Sequence, residues 1–329
     1  MGFFLSSLFS RYPRSFFKYY GYHVRKTIRK ILSDFQPDIV HFDTLKTVCL
    51  AREIKDARIV FHVHDSQTKQ IRTRMLKKRG YLRMADTYLQ YFKVRYTEKS
   101  YYLRSDACIV DSLSDAGYLR ALNKNINVKV IPLGFDQNIY NPEGSKAKMP
   151  EGSLIFTGSM KSVQTAVAVE ELVEMIMPQI WDKRPETTLF LIGANPLKKI
   201  REYGEIDKRI IVTGFVENLS DYLRGAAVYL CPLRVGSGMK TRVIEALACG
   251  CPLVTTHEGV EGLKADDESL PPWIIGEAPS ALAEKTLILL KDKESQQELS
   301  IKAAEFALKQ NSWKAVSEKI VKLYEEILA

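Results

Sequence analysis

A glycine-rich turn that leads into a helix is the part of this sequence best suited to bind an anion. A strand is predicted at Val228–Cys231, the turn follows at Gly236–Gly238, and a helix is predicted at Met239–Ala248. A helix that begins after such a turn presents unpaired backbone N–H groups and the positive end of its dipole, which favour a phosphate. The turn is not a P-loop, because Lys240 does not directly follow the second glycine.

Two cations and a carboxylate occupy the first turns of this helix. Lys240 and Arg242 lie where a positive side chain opposes the helix dipole, and a bound phosphate would compensate both charges. Glu245 could accept hydrogen bonds from a ribose diol. The spacing leaves an alternative equally open, in which the glycines form an ordinary turn and Glu245 pairs with Arg242 on one helix face.

The composition excludes several classes of protein. The chain has 329 residues, 46% hydrophobic and 26% charged, which is typical of a globular protein of two domains. Its 5 cysteines contain no CxxC pair, which argues against a disulfide framework and a zinc site. No apolar run approaches the roughly 20 residues that cross a bilayer, and the start does not resemble a signal peptide. We therefore expect a cytoplasmic protein.

The net charge of +9 is unevenly distributed. Residues 1–104 carry a balance of +14, whereas the remaining residues carry −5. In residues 1–104, basic residues are interleaved with Tyr and Phe, which suits an anionic membrane surface. A solvated helix face is nearly as well supported, and no nucleic-acid motif is present. We expect residues 11–104 to hold the protein at the inner face of the plasma membrane. The basic residues are Arg25, Lys26, Arg29, Lys30, Arg72, Arg74, Lys77, Lys78, Arg79 and Arg83.

Short β-branched runs alternate with longer helical stretches, which predicts an α/β fold with parallel sheets. Ten strands are predicted, at 38–42, 58–62, 107–110, 128–131, 153–156, 188–192, 209–212, 228–231, 252–255 and 273–275. Helices are predicted at Arg25–Phe35 and Ser312–Leu328, and an amphipathic helical hairpin is predicted at Ser66–Arg104, with Tyr81, Leu82, Tyr88, Leu89, Phe92 and Tyr96 on its apolar side.

A segment rich in Pro, Gly and charge, Asn141–Ser153, is the predicted linker between two domains. We expect one domain at 1–143 and a second at 151–310, with a helix at 311–329 that returns to pack on the first. The first domain has about four predicted strands, fewer than the five or six of a typical doubly wound sheet. It is therefore expected to be incomplete at its beginning.

The segment GSGMKTRVIEALACGCPLVTT resembles the nucleotide-sugar signature of family 4 glycosyltransferases. Other matches follow in the family's order: VIPLGFD from Val130, LIFTGSM from Leu154, LFLIG from Leu189 and IVTGFV from Ile211. The resemblance covers roughly residues 13–329 and implies a GT-B fold, in which two Rossmann-like domains face each other across a cleft. It also implies that a nucleotide sugar is the donor substrate, without a separate cofactor or metal.

The resemblance implies a role for each matching residue of the second domain. Lys240 would neutralise the diphosphate leaving group and Glu245 would bind the ribose. The residues expected to contact the donor are Gly158, Ser159, Lys161, Phe215, Val216, Gly236, Ser237, Gly238, Met239, Lys240, Thr241, Arg242 and Glu245, with Phe215 and Val216 near the base.

The first domain contributes one expected active-site residue. Phe61–Gln67 resembles the family's strand that ends in a histidine facing the donor, which places His64 at the sugar or a phosphate oxygen. The alternative is a histidine that caps a strand end beside Asp65. His62 is expected on the opposite face of the strand, packed in the core.

The resemblance implies transfer of a glycosyl group from a UDP- or GDP-linked sugar to a glycan or lipid-linked acceptor. Retention at the anomeric carbon is expected, and no Asp-x-Asp metal motif is present. The first of two glutamates common in the family is Ser237 here, and the arginine common after the first donor-domain glycine is Ser159. The alternative hypothesis is therefore a catalytically inactive, truncated glycosyltransferase that acts as a binding subunit.

Overall fold

The chain forms two compact units in a computed structural model. The structure describes residues 10, 12–16, 19, 21–64, 66–68, 71–72, 81–234, 239–264 and 271–329. The first unit comprises Met1–Pro132 with Glu318–Ala329, and the second comprises Leu133–Ser317. We call them unit 1 and unit 2.

The predicted linker lies within unit 2. The Arg224 side chain donates hydrogen bonds to the carbonyl oxygens of Asn141 and Ser145, at 3.1 and 2.7 Å, and the Ala147 amide donates to the Asp221 carbonyl at 2.9 Å. These bonds attach the segment to unit 2, although its composition suggests a linker. The predicted domain limits at 143 and 151 stay a prediction.

Unit 1 contains a parallel sheet of four strands in its described residues. The order is β1-β2-β3-β4, in which each strand lies beside the next in the chain. The strands are β1 Ile39–Phe42, β2 Arg58–Val63, β3 Ala107–Val110 and β4 Val128–Val130. The helices are α1 Tyr22–Phe35, α2 Tyr81–Tyr102 and α3 Leu113–Leu122, and 3-10 turns lie at Arg14–Phe16 and Val48–Glu53.

The core of unit 1 lies on the sheet and is rich in aromatic rings. Phe61 of β2 packs against Phe42 and Tyr102, with ring centroids 5.3 and 5.9 Å away, and all three are buried. The spacing of Tyr88, Phe92 and Tyr96 does place them on one side of α2, but all three are exposed. The predicted apolar side of this helix is therefore not packed in the core at these positions.

Unit 2 contains a six-stranded parallel sheet of order β10-β9-β8-β5-β6-β7. From β5 the chain adds strands in one direction to β7 and then returns to β8, which lies on the other side of β5. The point between β5 and β8 is therefore a topological switch point. The strands are β5 Leu154–Thr157, β6 Leu189–Ile192, β7 Ile210–Gly214, β8 Val228–Cys231, β9 Leu253–Thr255 and β10 Ile274–Ile275.

Helices cover the sheet of unit 2, because every residue of β5, β6 and β8 is buried and a strand buried in this way needs cover on both faces. They are α4 Val163–Glu171, continued by a π-helical turn at Leu172–Ile176, α5 Met177–Lys183, α6 Lys198–Ile206, α7 Leu219–Gly225, α8 Thr241–Ala248, α9 Pro279–Lys291 and α10 Lys293–Asn311; a 3-10 turn lies at Glu258–Val260. The last helix is α11 Trp313–Leu328, whose residues from Glu318 onward belong to unit 1.

The ten predicted strands are all confirmed, with small shifts at their ends. Helix α8 begins at Thr241 rather than at Met239, and it ends as predicted before Gly250, whose φ of +68° suits a residue without a side chain. Part of the hairpin predicted at 66–104 lies outside the described residues, and its second arm is α2. Within the described chain, no helix combines the length and apolar character that crossing a membrane requires.

Candidate functional site

A pocket of about 330 Å³ lies at the switch point of unit 2. This size falls within the roughly 300–1,000 Å³ typical of small-molecule sites, and open parallel sheets bind ligands at this position, outside the carboxyl ends of the strands. The pocket is lined by the end of β5, the start of α4, the end of β8 and the start of α8. Its residues are Phe156–Ser159, Ser162, Gln164, Thr165, Tyr229, Cys231, Leu233 and Met239–Val243.

Close backbone contact shapes the floor of this pocket. A Cβ atom at Gly193, after β6, would lie 1.9 Å from the Gly158 carbonyl oxygen, and one at Gly158 would lie 2.8 Å from Thr165 Oγ1. Only glycine fits at these two positions without movement of the neighbouring backbone or side chain. The Gly158 amide meanwhile donates to the Ile192 carbonyl at 3.1 Å, which fixes the turn after β5 against β6.

The two helices that begin at the pocket have different amino ends. Ser162 caps α4, since its hydroxyl accepts from the Thr165 amide at 3.2 Å. At α8 the cap position is Lys240, and no side chain in the described structure caps that end. The amide groups of the first turn of α8 consequently remain suited to an anion that enters the pocket.

Both cations of α8 have carboxylate partners in unit 2. Arg242 Nη1 lies 2.7 Å from Glu245 Oε2, and Lys240 Nζ lies 3.7 Å from Glu261 Oε2. The helix-face pair that the sequence left open therefore forms. The sequence did not predict the partner of Lys240, Glu261, which approaches from the segment after β9. An anion in the pocket would share these cations with the two carboxylates.

Glu245 lies one turn beyond the pocket lining. Its side chain is 14% exposed, and burial raises its pKa above the ordinary value, while Arg242 and the hydroxyl of Tyr140 oppose that rise. A carboxylate so placed beside the pocket has acceptor oxygens to offer a ligand that reaches past Arg242.

The remaining predicted donor residues fall into three groups. Gly158, Ser159, Met239, Lys240, Thr241 and Arg242 all line the pocket. Lys161, Phe215, Val216 and Glu245 do not line it; Phe215 follows β7 and is 77% exposed, and Val216 packs against the core. Gly236, Ser237 and Gly238 lie outside the described residues.

A second polar cluster lies at the carboxyl edge of the sheet in unit 1. His64 contacts two carboxylates, with Nδ1 3.0 Å from Asp111 Oδ2 and Nε2 3.0 Å from Asp43 Oδ1. The hydrogen bond to Asp111 is the largest of the causes that raise the pKa of His64 to about 9, while burial opposes it. Because both nitrogens face acceptors, the ring carries both protons at neutral pH.

His62 lies on the same face as His64, contrary to the prediction. Their ring centroids are 4.1 Å apart, and His62 Nε2 lies 2.8 Å from Asp111 Oδ1. The prediction was wrong because side chains alternate with a period of two along a strand, so residues two apart share a face. His62 is therefore part of the polar cluster and not of the core.

Sequence reasoning missed His41, Asp43 and Asp111 in unit 1, and Thr157, Ser162, Thr165 and Tyr229 in unit 2. Asp43 and Asp111 each follow directly after a predicted strand, and His64 directly follows the observed strand β2. Polar residues at the carboxyl ends of neighbouring parallel strands come together at one edge of a sheet. That pattern was a signal in the sequence that could have identified them.

Two family models match the chain. The model described as Glycosyl transferases group 1 matches residues 151–292, and the model described as Glycosyltransferase Family 4 matches residues 7–138. The first match contains the pocket of unit 2 and the second contains the polar cluster of unit 1. No curated protein sequence matches the chain.

Solved structures resemble the chain over most of its length. Sucrose-phosphate synthase from Thermosynechococcus elongatus has a TM-score of 0.70 at 18% identity, over 92% of this chain and 77% of that one. Anabaena HepE in complex with UDP-glucose has a TM-score of 0.62 at 13% identity, over 92% and 82%. A TarM mutant of S. aureus in complex with fondaparinux, alpha-GlcNAc-glycerol and UDP has a TM-score of 0.64 at 14% identity, over 92% and 59%. The likeness shows an α/β fold of the GT-B type.

Proposed function

We propose that this chain, which belongs to the family 4 and group 1 glycosyltransferases, transfers a hexosyl group from a UDP- or GDP-linked sugar to a glycan or lipid-linked acceptor. The observation that carries the proposal is the pocket at the switch point of unit 2, which joins the amino end of α8 to the glycine turn after β5. HepE and TarM, whose structures contain UDP-glucose and UDP, support a nucleotide-sugar donor.

The pocket fits the diphosphate of such a donor. Lys240 and Arg242 line it together with the amino end of α8, and their charges and the helix dipole all favour an anion. Departure of a nucleoside diphosphate builds negative charge at these groups, so they stabilise the transition state more than the bound substrate. We propose that these groups perform the task without a metal ion, and that the anomeric configuration is retained.

His64 is the residue of unit 1 proposed to contact the donor. The carboxylates of Asp43 and Asp111 hold its ring in one orientation, and 40% of the side chain is exposed and can meet a ligand. The Nε2–H of the protonated ring faces the exposed Asp43, and it can exchange that acceptor for a sugar hydroxyl or a phosphate oxygen.

An acceptor at a membrane fits the exposed surface of unit 1. Helix α1 exposes Ile31 and Phe35, and α2 exposes Phe92 and Tyr96 beside Arg95 and Lys99. Exposed aromatic rings among cations favour anionic lipid headgroups. We propose a peripheral position on the inner face of the plasma membrane and a role in cell-envelope polysaccharide assembly; the TarM complex with fondaparinux and alpha-GlcNAc-glycerol supports a sugar-containing acceptor.

The test is calorimetric titration of the full chain with UDP- and GDP-linked hexoses, followed by a transfer assay with a glycan and with a lipid-linked acceptor. We expect saturable binding of one donor class and its turnover with an acceptor. Lys293→Ala is the matched control for Lys240→Ala, because Lys293 pairs with Glu151 on the surface of unit 2, away from the pocket. Donor binding without turnover would favour the inactive binding subunit, and no binding would contradict both.

A further inference from the structure

Three of the 5 histidines of the chain converge at the carboxyl edge of the sheet in unit 1. His41, Asp43 and His62 each have a ligand atom within 4.8 Å of the other two, and the same holds for His62, His64 and Asp111. The residues come from the ends of three neighbouring strands, β1, β2 and β3. Together they form the edge cluster.

Asp111 orients two of the histidines toward one point. It is 2% exposed, and its two oxygens accept from His62 Nε2 at 2.8 Å and from His64 Nδ1 at 3.0 Å. The other nitrogens, His62 Nδ1 and His64 Nε2, both face Asp43 Oδ1, at 3.8 and 3.0 Å. A buried carboxylate that holds the far nitrogen of a histidine, as Asp111 holds Nε2 of His62, is the usual support behind a metal-binding histidine.

His41 adds a nitrogen that the described structure leaves unused. Its Nδ1 contacts the Tyr324 hydroxyl, while its Nε2 is buried and has no hydrogen-bond partner among the described residues. Such orphaned buried atoms are rare in folded proteins and need an explanation. The His41 ring lies beside that of His62, with centroids 5.7 Å apart.

We propose that the edge cluster binds one divalent transition-metal ion of the zinc type through His41, Asp43 and His62, with Asp111 as the positioning residue. Two imidazoles and one carboxylate form a donor set that suits zinc and disfavours magnesium and calcium, and a water molecule would be the fourth ligand. One ligand atom of each of the three residues lies within 4.8 Å of the other two. Ligand atoms in a tetrahedral zinc site lie roughly 3.3 Å apart, so the three side chains must turn inward to bind the ion.

An ion can reach this position from solvent. The side chains of Asp43 and His64 are 77% and 40% exposed, whereas that of Asp111 is only 2% exposed. The inference concerns metal binding by unit 1 and does not depend on sugar transfer.

The test uses the full chain, freed of metal with a chelator and titrated with Co²⁺ as a spectroscopic probe, with Zn²⁺ as competitor. We expect one ion per chain and the intense visible absorption of a tetrahedral cobalt site, which Zn²⁺ abolishes. Absence of that spectrum, or binding of the ion with the spectrum of an octahedral aqua complex, would overturn the proposal.

Variants locate the ion. His62→Ala should weaken Co²⁺ binding at least 100-fold, and Asp111→Asn about 10- to 100-fold because the histidines lose their orientation. Asp43→Asn tests the same site without disturbing the core, since Asp43 is exposed, and it guards against misfolding of the buried variants. The control is the His23→Ala/His257→Ala double variant, which removes the histidines outside the edge cluster. Equal loss in this control would overturn the proposal.

Discussion

The carboxyl edges of the two parallel sheets carry different kinds of chemical groups. The edge in unit 2 is a pocket formed by glycine turns, hydroxyl side chains and a helix end, in which Lys240 and Arg242 have carboxylate partners. The edge in unit 1 is a cluster of ionisable side chains held by buried Asp111. The first edge should therefore be sensitive to added volume and to its two cations, and the second to its proton and metal equilibria.

The largest expected effect is at Lys240. Lys240→Ala should lower the transfer rate about 100- to 1,000-fold, because a preorganised charge at the leaving group is removed. Steady-state rates with a saturating donor measure the effect, and Lys293→Ala should retain the native rate. A rate for Lys240→Ala within a factor of two of that control would show that Lys240 has no catalytic role.

The next effect compares how the two units tolerate a methyl group added at a glycine. Gly193→Ala should destabilise the protein by about 1–3 kcal/mol or more, since the new methyl group meets a carbonyl oxygen of the backbone. Gly117→Ala, in α3 of unit 1, meets nothing within 4 Å and should stabilise its helix by roughly 0.5–1 kcal/mol. Urea unfolding of both variants gives the comparison. Equal effects would show that the glycine turn of unit 2 is not tightly packed.

A smaller effect is expected at Glu245. Glu245→Gln should weaken donor binding about 10-fold, because a charged acceptor forms the stronger hydrogen bond to a ribose hydroxyl. The exposed Glu298, which pairs with Lys302 on α10, provides the control as Glu298→Gln. Calorimetry with the donor measures both variants, and unchanged affinity in Glu245→Gln would assign Glu245 to its pair with Arg242 alone.

The smallest effect concerns Glu98, a buried carboxyl group of unit 1. Burial raises the pKa of Glu98 above its ordinary value of 4.5, against the hydrogen bonds from Thr68 and Tyr118. An acid whose folded pKa is raised loses stability as the pH rises from its unfolded pKa through the folded one. Relative to Glu98→Gln, the native chain should therefore be more stable at pH 4.5 than at pH 7. Unfolding in urea at both values measures the difference, and the opposite trend would show that Glu98 prefers its charged form.

The two edges also show what a sequence reveals. The strands of both units were predictable, because each is a short run rich in apolar and β-branched residues and bounded by polar or turn residues. The α8 side of the pocket in unit 2 was predictable because its residues are contiguous in the chain. Lys240 occupies the cap position of helix α8, Glu245 lies within it, and the glycine turn comes directly before it. The contact between Glu261 and Lys240 was not predicted, because the two residues are not neighbours in the chain.

The edge cluster could not be read from one segment. His41, His62 and Asp111 belong to three strands, and their proximity depends on the parallel pairing of β1, β2 and β3. The alternation rule, correctly applied, places His62 beside His64, but it does not reveal that Asp111 lies between them. Contacts of this kind follow from the sheet order, which the sequence pattern leaves open.

Hydrogen–deuterium exchange with and without UDP tests most directly whether the donor binds at the switch point of unit 2. We predict that UDP slows exchange of the backbone amides at residues 157–165 and at the start of α8, while the amides of α9 and α10 exchange at unchanged rates. Protection confined to other segments, with the amino ends of α4 and α8 unaffected by saturating UDP, would contradict the account.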